Sequence, residues 1–353
     1  METAAASSRK RRLFFLKLRK ENMDKTYRAA VTGSRGKSGV VRLIHAGFCA
    51  CGLKAYGRIT GVLPRELNPV GERPILRPGG ANVSEMKWWL KTLPDDAEAI
   101  VMENSAVSPE LQELCPLWLC PQVTVLTNIR PDHEAFWGKG ESNVLRALSG
   151  GLIPESRVVM PEALASLPAV NALAERKGLK ILPAAPVPGL PVFLSINVGL
   201  ALEVCAAFGL DRERCLSAMR ALPPDFADFT VLKIGEGKLA FAFSANDVTT
   251  TEDLFQSTGW NRAEAAVLFN HRSDRIDRFR TFESWMARHE WREVLIIGDE
   301  PPRTALKCSY FRCNSVIQLA RRISTGLWMG CGNAVFGLPL PLKLACEEGE
   351  LNL

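Results

Sequence analysis

The chain has 353 residues, 47% hydrophobic and 23% charged, an ordinary globular composition that excludes a disordered or fibrous protein. The length accommodates two domains of common size, each able to bury its own core. The net charge of +6 (44 basic, 38 acidic residues) is concentrated in part in residues 9–20, RKRRLFFLKLRK, and the near-balanced remainder gives no case for a nucleic-acid partner.

Residues 1–25 read as a basic leader. Its apolar part, Leu13–Leu16, is too short for a signal peptide, and the leader suits either a solvated tail or an anionic membrane surface. Residues 28–33 (RAAVTG) predict a buried strand ending in a glycine turn, and 38–51 predict a helix from their apolar spacing. A second strand follows at 54–62, then a loop rich in Pro and Gly over 63–80, then a helix over Val83–Lys91. Apolar runs at 98–103 and 122–127 predict buried strands, the first ending on an acid and the second entering the polar loop NIRPDHE. Short strands are expected at 157–160 and 179–182, and an amphipathic helix at 195–208. The apolar stretch 191–210 does not read as a membrane span, because Ser195, Asn197 and Glu203 interrupt it.

A linker-like turn, LPPD, occupies 222–225. Beyond it, strands are expected at 238–243, 266–269, 293–297 and 327–331. Alternating strands and helices in both halves give the fold class: α/β, with a central parallel-sheet domain over 26–222 and a smaller Rossmann-like α/β domain over 223–353. The ten cysteines form no CxxC pair, and none of the four histidines stands near one at zinc-ligand spacing, so they read as buried free thiols in a reducing cytoplasm.

The strongest local signal is TGSRGKSG, residues 32–39, set between a predicted strand and a predicted helix as a phosphate loop requires. Gly33 and Gly36 let the backbone turn and aim its N–H groups inward, with Ser34, Arg35 and Gly39 completing the loop. Lys37 can reach the β- and γ-phosphates of ATP, and the Ser38 hydroxyl can ligate Mg²⁺. Glu103, ending its strand, is placed to hold the same metal or to serve as a cap or salt-bridge acid. His133 lies in the loop opened by Asn128. The strand ends at Gly33, Glu103 and Asn128 are expected side by side at one edge of a parallel sheet, where ligands bind. The segment 267–280 (VLFNHRSDRIDRFR) holds Arg272, Asp274, Arg275, Arg278 and Arg280 just past a strand, and suits either phosphate recognition or a solvated, charge-paired helix start. FSANDVTTTEDL, residues 243–254, reads as a turn followed by a capped helix.

With GSRGKSGVVRLI (33–44), GRITG (57–61), RPGGANVSE (77–85), MENSAVSPELQ (102–112), TNIRPDHEAFWG (127–138), INVGLALEVCAAFGLD (196–211), SANDVTTTEDL (244–254), NHRSDRIDR (270–278), LIIGD (295–299) and GCGN (330–333) in order, the chain resembles the ligase subunit of poly-γ-glutamate synthase. This is the PgsB/CapB family of the Mur-ligase superfamily. The resemblance implies a Mur-ligase-like ATPase domain followed by a Mur-ligase-like C-terminal domain, and an ATP- and Mg²⁺-dependent amide ligase making γ-glutamyl bonds through an acyl-phosphate. It implies metal ligation by Ser38, Glu103 and His133, and catalytic roles for Lys37, His133 and Arg275. Asn197 is implied at the adenine, Arg272 and Asp274 at the nucleotide, and Thr60, Asn128, Asn246 and Asp247 at the substrate. The second domain is expected to close over the first and exclude water from the acyl-phosphate. Glutamate and a growing γ-glutamyl chain are the implied substrates, with a small membrane subunit as partner and oligomerisation left open. The expected location is cytoplasmic and peripheral at the inner face of the membrane. The sequence departs from the family at Gly39, where a second hydroxyl is usual, and over 141–156, which contains no lysine to support the metal. A Mur-like ligase for another acid, or a nucleotide-binding scaffold that has lost ligation, also fits the residues.

Overall fold

The computed structural model describes residues 26–351 apart from 62, 78–79, 226–227 and 246. The basic leader and Asn246 lie outside the described residues. The chain forms two compact units, one ending at Leu222 and the other beginning at Pro223.

The first unit is built on an eight-stranded sheet of order β4-β3-β2-β5-β1-β6-β7-β8. The strands are β1 (Tyr27–Thr32), β2 (Ala55–Ile59), β3 (Arg65–Asn68), β4 (Gly71–Pro74), β5 (Ala99–Glu103), β6 (Val123–Leu126), β7 (Arg157–Pro161) and β8 (Lys180–Ala184). All pairings are parallel except the β2–β3–β4 edge. Parallel strands covered on both faces read as unbroken apolar runs, and this is why β1, β5 and β6 were the clearest strands in the sequence. Along β1, Ala29 and Val31 enter one core and Ala30 the opposite one, as alternation across a sheet requires.

Helix α1 (Lys37–Ala50) and helices α3 (Val192–Ala207) and α4 (Arg212–Ala221) pack on the first face through Val40, Ile44, Phe48, Leu200, Val204 and Met219. Helix α2 (Glu85–Thr92) covers the other face with Met86 and Trp89. α3 differs from the amphipathic helix expected at 195–208: it is buried around most of its circumference, Ser195 donates inward to the Val187 carbonyl at 2.7 Å, and Gly199 lies against the Ala185 carbonyl.

The Pro- and Gly-rich stretch 63–80, expected to be loop, contains the β3–β4 hairpin. Its cross-strand pairs are ionic, so it carries no apolar alternation. Arg65 pairs with Glu72 at 2.5 Å and Arg73 with Glu66 at 2.8 Å, while Leu67 alone is driven into the core.

The second unit holds a six-stranded sheet of order β13-β12-β11-β14-β10-β9. Its strands are β9 (Thr230–Ile234), β10 (Gly237–Phe241), β11 (Ala265–His271), β12 (Glu293–Gly298), β13 (Ser309–Tyr310) and β14 (Leu327–Gly332). β9 runs antiparallel to β10 and the other pairings are parallel. Helices α5 (Val248–Ser257) and α6 (Ile276–Ala287) bury Phe255, Phe279, Phe282 and Trp285 against β11, whose seven residues are all buried. Among the described residues no helix is long and apolar enough to cross a membrane.

Candidate active site

The sheet order places β1 between β5 and β6, so Gly33, Glu103 and Asn128 emerge at the same edge. From β1 the chain turns through Gly33 (φ 133°) and Gly36 (φ 76°) into α1. Both glycines are required. A Cβ at Gly33 would stand 2.0 Å from Thr127 Oγ1, and one at Gly36 would adopt a left-handed conformation 3.2 Å from Asn197 Oδ1.

The loop is braced by the segment after β6. Ser34 N donates to the Asn128 carbonyl at 3.2 Å and its Oγ to Asn128 Oδ1 at 2.6 Å. Asn128 Nδ2 and Thr127 Oγ1 both donate to the Arg35 carbonyl, at 3.1 and 2.6 Å. Ser34 and Asn128 thus satisfy each other and fix the loop's path. Asn197 stands behind the loop, facing Gly36 and Gly39.

Lys37 Nζ donates to the Gly33 carbonyl at 2.8 Å. Burial pushes its ammonium below the ordinary lysine value, with the charges of Glu103 and Asp132 acting against that shift. Ser38 Oγ donates to Glu103 Oε2 at 2.8 Å, and the same oxygen accepts the Thr60 N–H at 2.9 Å. Glu103 is only 4% exposed. Gly61 permits this approach, because a Cβ there would lie 2.6 Å from Ser38 Oγ.

His133 belongs to a second group. Its backbone is left-handed (φ 46°), its ring lies 5.0 Å from that of Trp137, and its N–H donates to Asp132 Oδ1 at 2.9 Å. Its Nδ1 is 2.9 Å from Asp132 Oδ2 but out of line for a directed hydrogen bond. Arg35 Nη1 donates to that oxygen at 2.6 Å. Burial works to raise the Asp132 carboxyl, but His133 and the Arg35 charge outweigh it and hold the group at about 2. Asp132 was not singled out in the sequence; its only signal there is its place beside His133.

Among the described residues no three His, Cys, Asp or Glu side chains converge on one point. Of the implied metal ligands, Ser38 and Glu103 are joined by a hydrogen bond, and His133 stands against Asp132. Two hard oxygen donors beside a phosphate loop still fit Mg²⁺, which is commonly bound by one or two protein oxygens together with substrate phosphates and water.

The remaining sequence candidates lie in the second unit. Asp247 caps α5, accepting from Thr250 N at 2.7 Å and Thr250 Oγ1 at 2.8 Å. Arg272, Asp274 and Arg275 follow β11 as an exposed ion-pair cluster, with Arg272 Nε 2.6 Å and Arg275 Nε 3.9 Å from Asp274.

The Mur ligase middle domain matches residues 31–148, and the poly-γ-glutamate synthase CapB C-terminal domain matches 231–348. The PGA synthase CapB of Bacillus subtilis is 27% identical over 293 residues, covering 77% of this chain and 74% of that protein. The capsule biosynthesis protein CapB of Bacillus anthracis is 28% identical over 293 residues, covering 77% of this chain and 63% of its own. Among solved structures, E. coli FolC in complex with ADP superposes with a TM-score of 0.64 at 15% identity, covering 94% of this chain and 91% of that one. MurF from Acinetobacter baumannii gives 0.62 at 13% identity, covering 94% and 78%. The two domain matches follow one another along the chain, and with these relatives they show an ATP-dependent amide ligase similar to the CapB poly-γ-glutamate synthases.

Proposed function

We propose that this ligase forms γ-glutamyl bonds, extending an acceptor that ends in glutamate. The observation that carries the reading is the hydrogen bond between Ser38 Oγ and Glu103 Oε2 beside the half-buried Lys37: a phosphate loop coupled to a strand-end acid. In the first step a carboxylate oxygen of the acceptor attacks the γ-phosphorus of ATP and ADP leaves, giving an acyl-phosphate. In the second, the amine of glutamate attacks the acyl carbon and phosphate departs with the bonding pair. Lys37 and the N–H groups of residues 33–39 hold phosphate oxygens and counter the charge gathering on them. Ser38 and Glu103 would hold Mg²⁺, whose charge when bound would neutralise part of that build-up. His133, its backbone anchored to Asp132 and its ring against Trp137, is assigned to orient reacting groups beside the metal pair. Arg272, Asp274 and Arg275 are assigned to the nucleotide, Asn197 to the adenine side, and Thr60, Asn128 and Asp247 to the substrate, as the resemblance implies. In this reading residues 26–222 form the ATP-binding domain, 223–353 the C-terminal domain, and a small membrane subunit completes the synthase at the inner membrane face.

The test is ATP turnover by the full chain with Mg²⁺ and each amino acid added singly, beside Lys37→Ala. Phosphate release stimulated by glutamate and absent in the variant is the expected result. Stimulation by a different amino acid alone would discard the γ-glutamyl assignment and keep the ligase.

A further inference from the structure

Next to Glu103 on the same sheet edge stand two guanidinium groups and one carboxylate. Arg58, near the end of β2, pairs in register with Met102, the residue before Glu103. Its side chain is completely buried, and its Nη2 donates to Glu85 Oε2 at 2.7 Å. Arg77 donates to that same oxygen through Nε at 3.0 Å and Nη2 at 2.8 Å. Glu85 Oε1 accepts the Asn82 N–H, at 3.2 Å.

The charges do not match. A single carboxylate oxygen serves two arginines, and Glu103, the other acid acting on Arg58, already accepts from Ser38 and Thr60. Arg58 is left with Nε and Nη1 buried and, among the described residues, without a hydrogen-bond partner. Buried N–H groups of a charged side chain are rarely left so, because their lost hydration is not recovered. Arg58 differs from the other paired arginines in carrying two such donors on a fully buried side chain. Arg77, which shares the Glu85 oxygen with the fully buried Arg58, retains 23% side-chain exposure, so the surplus charge reaches the surface.

We propose that Arg77 and Arg58 form a carboxylate-binding subsite beside the Ser38–Glu103 pair, which takes the non-reacting carboxylate of the acceptor's terminal glutamyl residue. The inference rests on the γ-glutamyl reading above. Each glutamyl end carries two carboxylates; one is activated, and the other is an anion that must be held still while its neighbour reacts. Guanidinium forks suit that task because they bind carboxylates in a fixed plane.

The experiment is calorimetric titration of tri-γ-glutamate into the full chain preloaded with Mg²⁺ and a non-hydrolysable ATP analogue. Arg77→Ala is expected to weaken peptide binding by ~10-fold or more, the effect of losing a charge-assisted pair. Arg77→Lys keeps the charge but not the fork and falls between. Affinity for the ATP analogue, measured separately, stays at the wild-type value in both. Wild-type peptide affinity in Arg77→Ala overturns the subsite, as does an equal loss of nucleotide and peptide affinity, which would mark a structural role. Failure of the wild-type protein to bind any γ-glutamyl peptide, while turning over ATP with another acid, would overturn the γ-glutamyl reading and the subsite with it.

Discussion

Asp132 shows how a side chain with no apparent role in the sequence acquires one from its neighbours. It is held at about 2, against an ordinary value of 3.8, although burial alone would raise it. A carboxyl whose folded pKa is depressed contributes stability that is present above its unfolded value and is lost as pH falls through the folded one. The shift corresponds to about 2 kcal/mol. Asp132→Asn is therefore expected to cost about 2 kcal/mol at neutral pH, with the gap to wild type closing between about pH 4 and pH 2. Urea melts across that range check this; a gap unchanged near pH 2 would assign the loss to packing instead. Lys37→Ala is expected to lower ATP turnover by ~100-fold or more while leaving the urea midpoint nearly unchanged, because the hydrogen bond of Lys37 goes to a loop carbonyl that water can also serve. The gathering of Lys37, Ser38, Glu103 and Asn128 was legible because each sits at or beside the end of an apolar run, and such ends share an edge in a parallel sheet. Asp132 was not, because its partner Arg35 is 97 positions away and nothing in a polar loop announces a distant cation. Arg58 and Arg77 were equally silent: an arginine in a strand gives no sign that it will be fully buried, nor one in a loop that it will share that strand arginine's carboxylate.

At the scale of elements, the regular α/β units followed from apolar periodicity, while the β3–β4 hairpin did not. Its strands are held by ion pairs, which leave no alternation of apolar and polar residues to find. The same gap hid β9 and the two-residue β13, where exposed or short edge strands carry little pattern. Helix α3 was found, but its character was misjudged, because a polar residue in the sequence does not say whether it faces water or a buried carbonyl. Gly199 marks the tightest point of that helix. A Cβ there would lie 2.1 Å from the Ala185 carbonyl oxygen, a backbone atom with little room to yield. Gly199→Ala is expected to destabilise the first unit by about 2–3 kcal/mol, read as a lower denaturation midpoint. By contrast Gly209→Ala meets no atom within 4 Å and is limited to the strain of its left-handed backbone (φ 71°), about 1 kcal/mol. Similar losses at the two positions would show that close packing at α3 is not what Gly199 provides.

Each unit buries apolar clusters of its own, among them the one around Val40, Ile44 and Phe48 in the first and the one around Phe269, Phe279 and Phe282 in the second. Phe269→Ala removes a 1%-exposed ring and is expected to cost about 3–5 kcal/mol. Hydrogen exchange should show protection lost through residues 230–332 and kept in β1, β5 and β6; loss spread evenly over both sets would mean that the units unfold as one. The wiring of the first sheet has a further consequence for the chain as it is made. β1 lies between strands that come much later in the sequence, so Ser38 waits 65 positions for Glu103 and Ser34 waits 94 for Asn128. Asn197, which backs Gly36, follows later still. A nascent chain stalled before residue 128 would carry the whole glycine-rich sequence and no folded anion site, so ATP cannot assist the early steps of folding on the ribosome and can stabilise only a unit whose distant strands have already arrived.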